Sequence, residues 1–372
     1  MHRRDFLLGA TSLAAGGYVA DSWRAPAQSA AMPMPTFSVI PVVGDGKWIW
    51  KTPPQDQTGY LEPRDYELSI GIEIEGTGNA TNVKATSVAP VKLPEQEVLD
   101  AKIETRGGCE GALRAVSAEA GQLVLFALSG QVIHAAAIYK LRVKKSYFGY
   151  QQDQFPLAQK VSKELGKVYL GESPGIQSRD KLVKELHDEL VSPSDHPWEK
   201  AKKFHGWVWE NITPQRGYYT NVVAALKNKV GDCEERAAVF VALCRYAGIP
   251  ARLVWVPNHN WAEFWLHDEK GEGHWIPAHT SCYSWLGWTG AHEVVLQKGD
   301  KLYVPEDRKP QRLLADWMQW QGGRPKVRYG AELRPLPPEG EKDPGPGARS
   351  KDKKGEWLIV KKHPDDRYMR DG

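Results

Sequence analysis

The sequence predicts an α+β protein of 372 residues. A small β-sandwich comes first, and a larger unit follows in which a cysteine-bearing helix packs on an antiparallel sheet. Three observations carry this expectation. Two-residue alternation of apolar side chains dominates from about Phe37 to Phe148. Helical spacing replaces it from about residue 150, and strand-like runs return after Gly248. The chain is long enough for two domains and a sizeable core. With 26% charged residues, acids and bases interleaved and a formal net charge of only +3, it lacks the basic footprint of a nucleic-acid binder.

The first residues, MHRRDFLLGATSLAAGGYVA, join a basic start to a short apolar run rich in Ala and Gly. Arg3-Arg4-Asp5-Phe6-Leu7 resembles a twin-arginine export signal, and Ala25-Pro26-Ala27 or Ser29-Ala30-Ala31 offers a cleavage site. The run is well short of the roughly 20 residues a spanning helix needs. Residues 1–31 are therefore expected to be a removed signal. The mature protein is expected in the periplasm or outside a bacterial or archaeal cell, with no membrane span. No cysteine precedes Cys109, which argues against a lipid anchor. Four cysteines (Cys109, Cys233, Cys244, Cys282) are too few to staple a chain of this size.

Residues 36–148 form the expected sandwich. In YELSIGIEIEG, Tyr66, Leu68, Ile70, Ile72 and Ile74 fall on one face of a half-buried strand. QLVLFALSG (122–130) and AAIYKLRV (136–143) give two more strands around a Ser-Gly turn. Residues 150–333 form the expected core domain. SRDKLVKELHDELV carries Leu182, Leu186 and Leu190 on one helical stripe, and Ala201, Phe204, Val208 and Ile212 mark the next helix. CEERAAVFVALCRYAG is a third helix, ended by Gly248. The strands IPARLVWV and WAEFWL follow, then a polar turn and HWIPAH. Residues 334–372, rich in Pro, Gly and charge, read as a flexible tail.

The chemistry concentrates at Gly231-Asp232-Cys233. A helix start exposes unpaired N–H groups and the positive end of the dipole, which together favour a thiolate. Asp232 is a natural N-cap, and the amide beside the sulfur is placed to donate to an oxyanion. A cysteine on an apolar helix is more often an inert core residue, and Cys244 fits that description. The histidines raise the odds for Cys233. His259 shares a strand face with Trp261, Glu263 and Trp265, and HWIPAH returns antiparallel, so His279 should lie near His259. A helix-start cysteine facing a strand-borne histidine is the arrangement of a Cys-His nucleophilic site.

Taken in order, G-D-C, a helix ending C-R-Y-A-G-I-P-A-R, H-N-W-A-E-F and a W-x-P strand resemble the core of the transglutaminase-like superfamily, over roughly residues 155–300. The resemblance implies a papain-like fold, a β-rich domain ahead of the core, Cys233 as nucleophile and His259 as general base and acid. One position departs from the pattern. Where the family has W-x-x-aliphatic-D, this chain has Trp275-Ile276-Pro277-Ala278-His279. His279 can accept a hydrogen bond from His259 but brings no negative charge. Loss of a triad acid costs on the order of 10⁴ in rate. Glu263, four residues along the strand, would stand about 13 Å from His259.

The expected activity is attack of Cys233 on an amide of a peptide or protein, through a thioester, with hydrolysis favoured over cross-linking. Cell-wall peptides are among the candidate substrates, and no cofactor is called for. The alternative is a weak or inactive scaffold used for binding. His259, His267, His274, His279 and Cys282 invite a zinc reading, but their spacing matches no finger or zincin signature, so no metal is expected. The tryptophans around the second sheet read as packing, and a tyrosine of Arg216-Gly217-Tyr218-Tyr219 is a weaker candidate oxyanion donor.

Overall fold

The computed structural model describes residues 59–337 apart from 76–79, 130–131, 148–151, 216–219, 257–258, 282–283 and 315. The expected signal, the tail from residue 338, Arg216–Tyr219 and Cys282 lie outside the described residues. No helix among the described residues is long and apolar enough to cross a membrane.

Six strands come first: β1 (Gly59–Glu75), β2 (Thr81–Ala89), β3 (Gln96–Arg106), β4 (Glu110–Ser117), β5 (Ala120–Ser129) and β6 (Val132–Tyr147). Alternation forms β1 as expected: Tyr66, Leu68, Ile70, Ile72 and Ile74 are each at most 2% exposed. Helices α1 (Lys163–Tyr169), α2 (Lys181–Leu190), α3 (Pro197–Asn211) and α4 (Val222–Asn228) follow. Their starts are set by caps, with Ser162, Asp180, His196 and Asn221 each accepting a backbone N–H of the first turn. Pro197 sits at the first position of α3, where its missing N–H costs nothing. A parallel pair of two-residue strands, β7 (Thr213–Pro214) and β8 (Val230–Gly231), delivers the chain to α5 (Cys233–Tyr246).

Helix α5 is buried on every side from Glu234 to Arg245, so it is the central helix of its layer rather than a surface amphipath. Gly248, with φ +77°, reverses the chain at its end. Then come β9 (Ala251–Val256), β10 (His259–His267) and β11 (Gly273–His279), an antiparallel meander. Ala262, Phe264, Leu266, Ile276 and Ala278 pack into one core with α5, α3 and α2. Short β12 (Trp285–Leu286) and β13 (Gln297–Lys298), a hairpin of β14 (Leu302–Val304) and β15 (Asp307–Gln311), β16 (Trp317–Gln321) and β17 (Lys326–Pro335) complete the chain.

The sheets do not divide at residue 150. One has the order β17-β1-β6-β3; the other runs β12-β11-β10-β9-β13-β5-β2-β16, with β4 on β5. Strands β16 and β17, placed by the sequence in the core domain, pair with β2 and β1 instead. Val294, Leu296, Val304 and Leu314 fill the interior of the sandwich. Two buried ionic clusters tie the parts together. Arg245 at the end of α5 donates twice to Asp300, 2.8 Å to each oxygen, and to the carbonyl of Ala251. Arg252 and Lys298 meet Glu263, at 2.7 and 2.6 Å, and reach Glu119 and Glu95 as well.

Candidate active site

The approach to Cys233 is built by three residues. Gly231 is required because a β-carbon there would stand 2.6 Å from Cβ of Glu235. Asp232 caps α5, accepting from the amide of Glu234 at 2.8 Å. Glu235 completes a capping box, accepting from the amide of Asp232 at 2.8 Å and from that of Thr220 at 2.9 Å. Glu234 is paired with Arg312 from the C-terminal segment. Cys233 is thus the first residue of a doubly capped helix and is half-buried, whereas Cys244, at 0% exposed, lies in the apolar core, where burial pushes its thiol well up.

The histidines come together as the antiparallel return requires. The register pairs Ala262 with Ala278, which sets Trp261 across from His279. The His279 ring stacks on Trp261 at 4.7 Å, stands edge-on to Trp285 at 5.2 Å and lies 6.1 Å from the His259 ring. Below it, Nε2 of His205 on α3 donates to the His279 carbonyl at 2.6 Å. Burial holds His205 and His259 down to about 4, and burial, then His259 and His205, holds His279 well below the usual imidazole range. All three rings are therefore neutral near pH 7.

Glu293 was not foreseen. It comes from the irregular segment between β12 and β13, and its Oε2 lies 3.4 Å from Nε2 of His279. Burial pushes its carboxyl up to about 8, so it holds its proton near neutrality. Nothing in the local sequence marks it: HEVVL belongs to no periodic element, and only the tertiary fold brings it to the end of β11. Glu263 is committed elsewhere. Burial raises its carboxyl, but Arg252 and Lys298 outweigh that and hold it low.

Two other members of the sequence's zinc grouping, His267 and His274, are occupied apart from this site. His267 accepts from the amide of Lys160 at 2.8 Å, and His274 lies 3.0 Å from Asp268. Trp255, Trp261, Trp285 and Trp288 are buried, as packing residues should be.

A cysteine heading a buried helix, packed on an antiparallel sheet that carries histidines, is a mixed α/β arrangement of the transglutaminase-like kind. Residues 184–280 match the model of the transglutaminase-like superfamily. An uncharacterized protein of Haemophilus influenzae is 36% identical over 90 residues, 23% of this chain and 24% of that protein. The chain thus matches about a quarter of the length of this curated relative. A crystal structure of a candidate cysteine protease from Cytophaga hutchinsonii superposes with a TM-score of 0.53 at 16% identity, covering 77% of this chain and 94% of that one. That likeness is one of fold.

Proposed function

We propose that the chain is an exported cysteine enzyme that hydrolyses amide bonds in peptides or proteins. Cys233 attacks the carbonyl, His259 takes the thiol proton and returns it to the leaving amine, and water resolves the thioester. His279 lies beside His259, the two rings 6.1 Å apart. The observation that carries the reading is the doubly capped start of α5 at Cys233, inside the stretch that matches the transglutaminase-like superfamily. The likeness in fold to the candidate cysteine protease from Cytophaga hutchinsonii supports peptide or protein substrates. Hydrolysis is preferred to cross-linking because water is abundant and needs no amine pocket. Export rests on Arg3-Arg4 and the apolar run behind it; cell-wall peptides fit that compartment.

The test is the alkylation rate of Cys233 by iodoacetamide between pH 4 and 9, with Cys233→Ala as control and His259→Ala to measure coupling. The expected midpoint lies below the roughly 8.5 of a free thiol and moves upward in the His259 variant. A midpoint at or above that value, indifferent to His259, rejects the enzyme. One observation favours the alternative of a weak or inactive scaffold: neither His279 nor the protonated Glu293 supplies an anion beside the histidines near pH 7.

A further inference from the structure

His259, His279 and Glu293 come from three separate places in the chain: the start of β10, the end of β11 and the segment before β13. They are 3%, 0% and 6% exposed, and one ligand atom from each lies within 4.8 Å of the others. Nε2 of His259, both ring nitrogens of His279 and both carboxylate oxygens of Glu293 are buried with no hydrogen-bond partner. Each such atom costs about 1–3 kcal/mol, and five gathered in one place call for an occupant. Water alone leaves the donor chemistry unexplained, because two imidazoles and a carboxyl group, each offering one ligand atom, are the kind of set that binds borderline cations.

We propose that His259, His279 and Glu293 bind one divalent transition-metal ion of the zinc class, and that the ion withdraws His259 from Cys233. Two imidazoles and a carboxylate suit zinc, with a fourth position left open; calcium and magnesium call for more oxygen ligands than this group offers. Bonds of about 2.0–2.1 Å place tetrahedral ligands about 3.3 Å apart. The His279–Glu293 edge is already 3.4 Å. The longest edge, at most 4.8 Å, must draw in by about 1.5 Å on binding. On binding, Glu293 gives its proton to water and coordinates as the carboxylate. A neutral imidazole that coordinates through Nε2 carries its proton on Nδ1, so the ring has no lone pair left for the thiol proton. This second consequence rests on the reading of His259 as the base of Cys233.

The experiment uses the full chain, stripped with a chelator and dialysed against Zn(II) alone. One zinc per chain is expected by elemental analysis, with affinity lowered at least the roughly 100-fold seen for lost supporting groups in Glu293→Gln and His279→Ala. Circular dichroism checks the fold of both variants. Co(II) substitution should give tetrahedral d–d absorption without a sulfur charge-transfer band. Wild-type protein that retains no more zinc than Glu293→Gln overturns the site, as does a charge-transfer band that disappears in Cys233→Ala. Iodoacetamide alkylation separates the two halves. Zinc should slow it in the wild type and leave Glu293→Gln unaffected; bound zinc with an unchanged rate overturns the withdrawal of His259. If zinc binds but stripped Cys233 is indifferent to His259→Ala, the enzyme reading fails and the site stands. If stripped Cys233 is coupled to His259 but no zinc binds, the site fails and the enzyme reading stands.

Discussion

At the scale of single residues, the controlling fact is that the groups around His279 are neutral because they are buried. His205 and His259 sit at about 4 instead of 6.5. The unfolded chain takes up protons at these sites below about 6.5 that the folded chain refuses until about 4. Their contribution is therefore fully present above 6.5 and is lost as pH falls through 4. Chelator-treated protein should show a falling urea midpoint across that window, and His205→Gln should flatten the fall; an equal slope in the variant would show that His205 titrates normally. His205 also holds the end of β11 through the His279 carbonyl. Replacing it by Phe leaves that carbonyl buried and unmatched, at an expected cost of about 1–3 kcal/mol in denaturant titration.

At the scale of elements, the start of α5 is what the chain has invested in. Asp232→Ala removes the cap, for which about 1 kcal/mol of stability is typical, and should slow Cys233 alkylation beyond what that loss explains. Gly231→Ala should do more. Its β-carbon would meet Cβ of Glu235 at 2.6 Å, an atom fixed to the helix backbone rather than a flexible tip. The helix start must then move, and the expected outcome is a lowered melting temperature together with a lost alkylation advantage of Cys233. Wild-type alkylation rates in a folded Gly231→Ala protein would show that the capping box does not position the sulfur. The Asp232 cap was legible in G-D-C, because caps are local and their residue types are few; the close approach of Gly231 to Glu235 was not.

At the scale of the whole molecule, the two sheets interlock through the C-terminal segment. The core supplies β9–β11, but β13 joins β9 to β5 and β17 closes the edge of β1. A chain of residues 150–333 produced alone should therefore aggregate or remain unfolded, since Val294, Leu296, Val304 and Leu314 would lose the sandwich interior they fill. A monomeric, cooperatively folding fragment would show that the sheets are separable. Asp300 serves the same joint. Asp300→Ala leaves Arg245, 4% exposed, without its carboxylate, and should cost about 3–5 kcal/mol in denaturant titration.

The sequence by itself determined what depends on near neighbours. It specified the alternation that makes β1, the spacing that makes α2 and α3, the capped helix that begins at Cys233, and the antiparallel return that brings His279 beside His259. Each is set within about twenty residues by periodicity, cap chemistry or the pitch of a strand. Tertiary structure alone decided the pairing of β16 and β17 with the first strands, the neutral state of the histidines and the arrival of Glu293. Strand pairing across more than two hundred residues follows from which edges remain open after the core forms, and no local pattern records that. Burial, in turn, is a property of everything packed around a side chain, so the charge state of His259, His279 and Glu293 exists only once the sheet, the helices and the segment before β13 have closed over them.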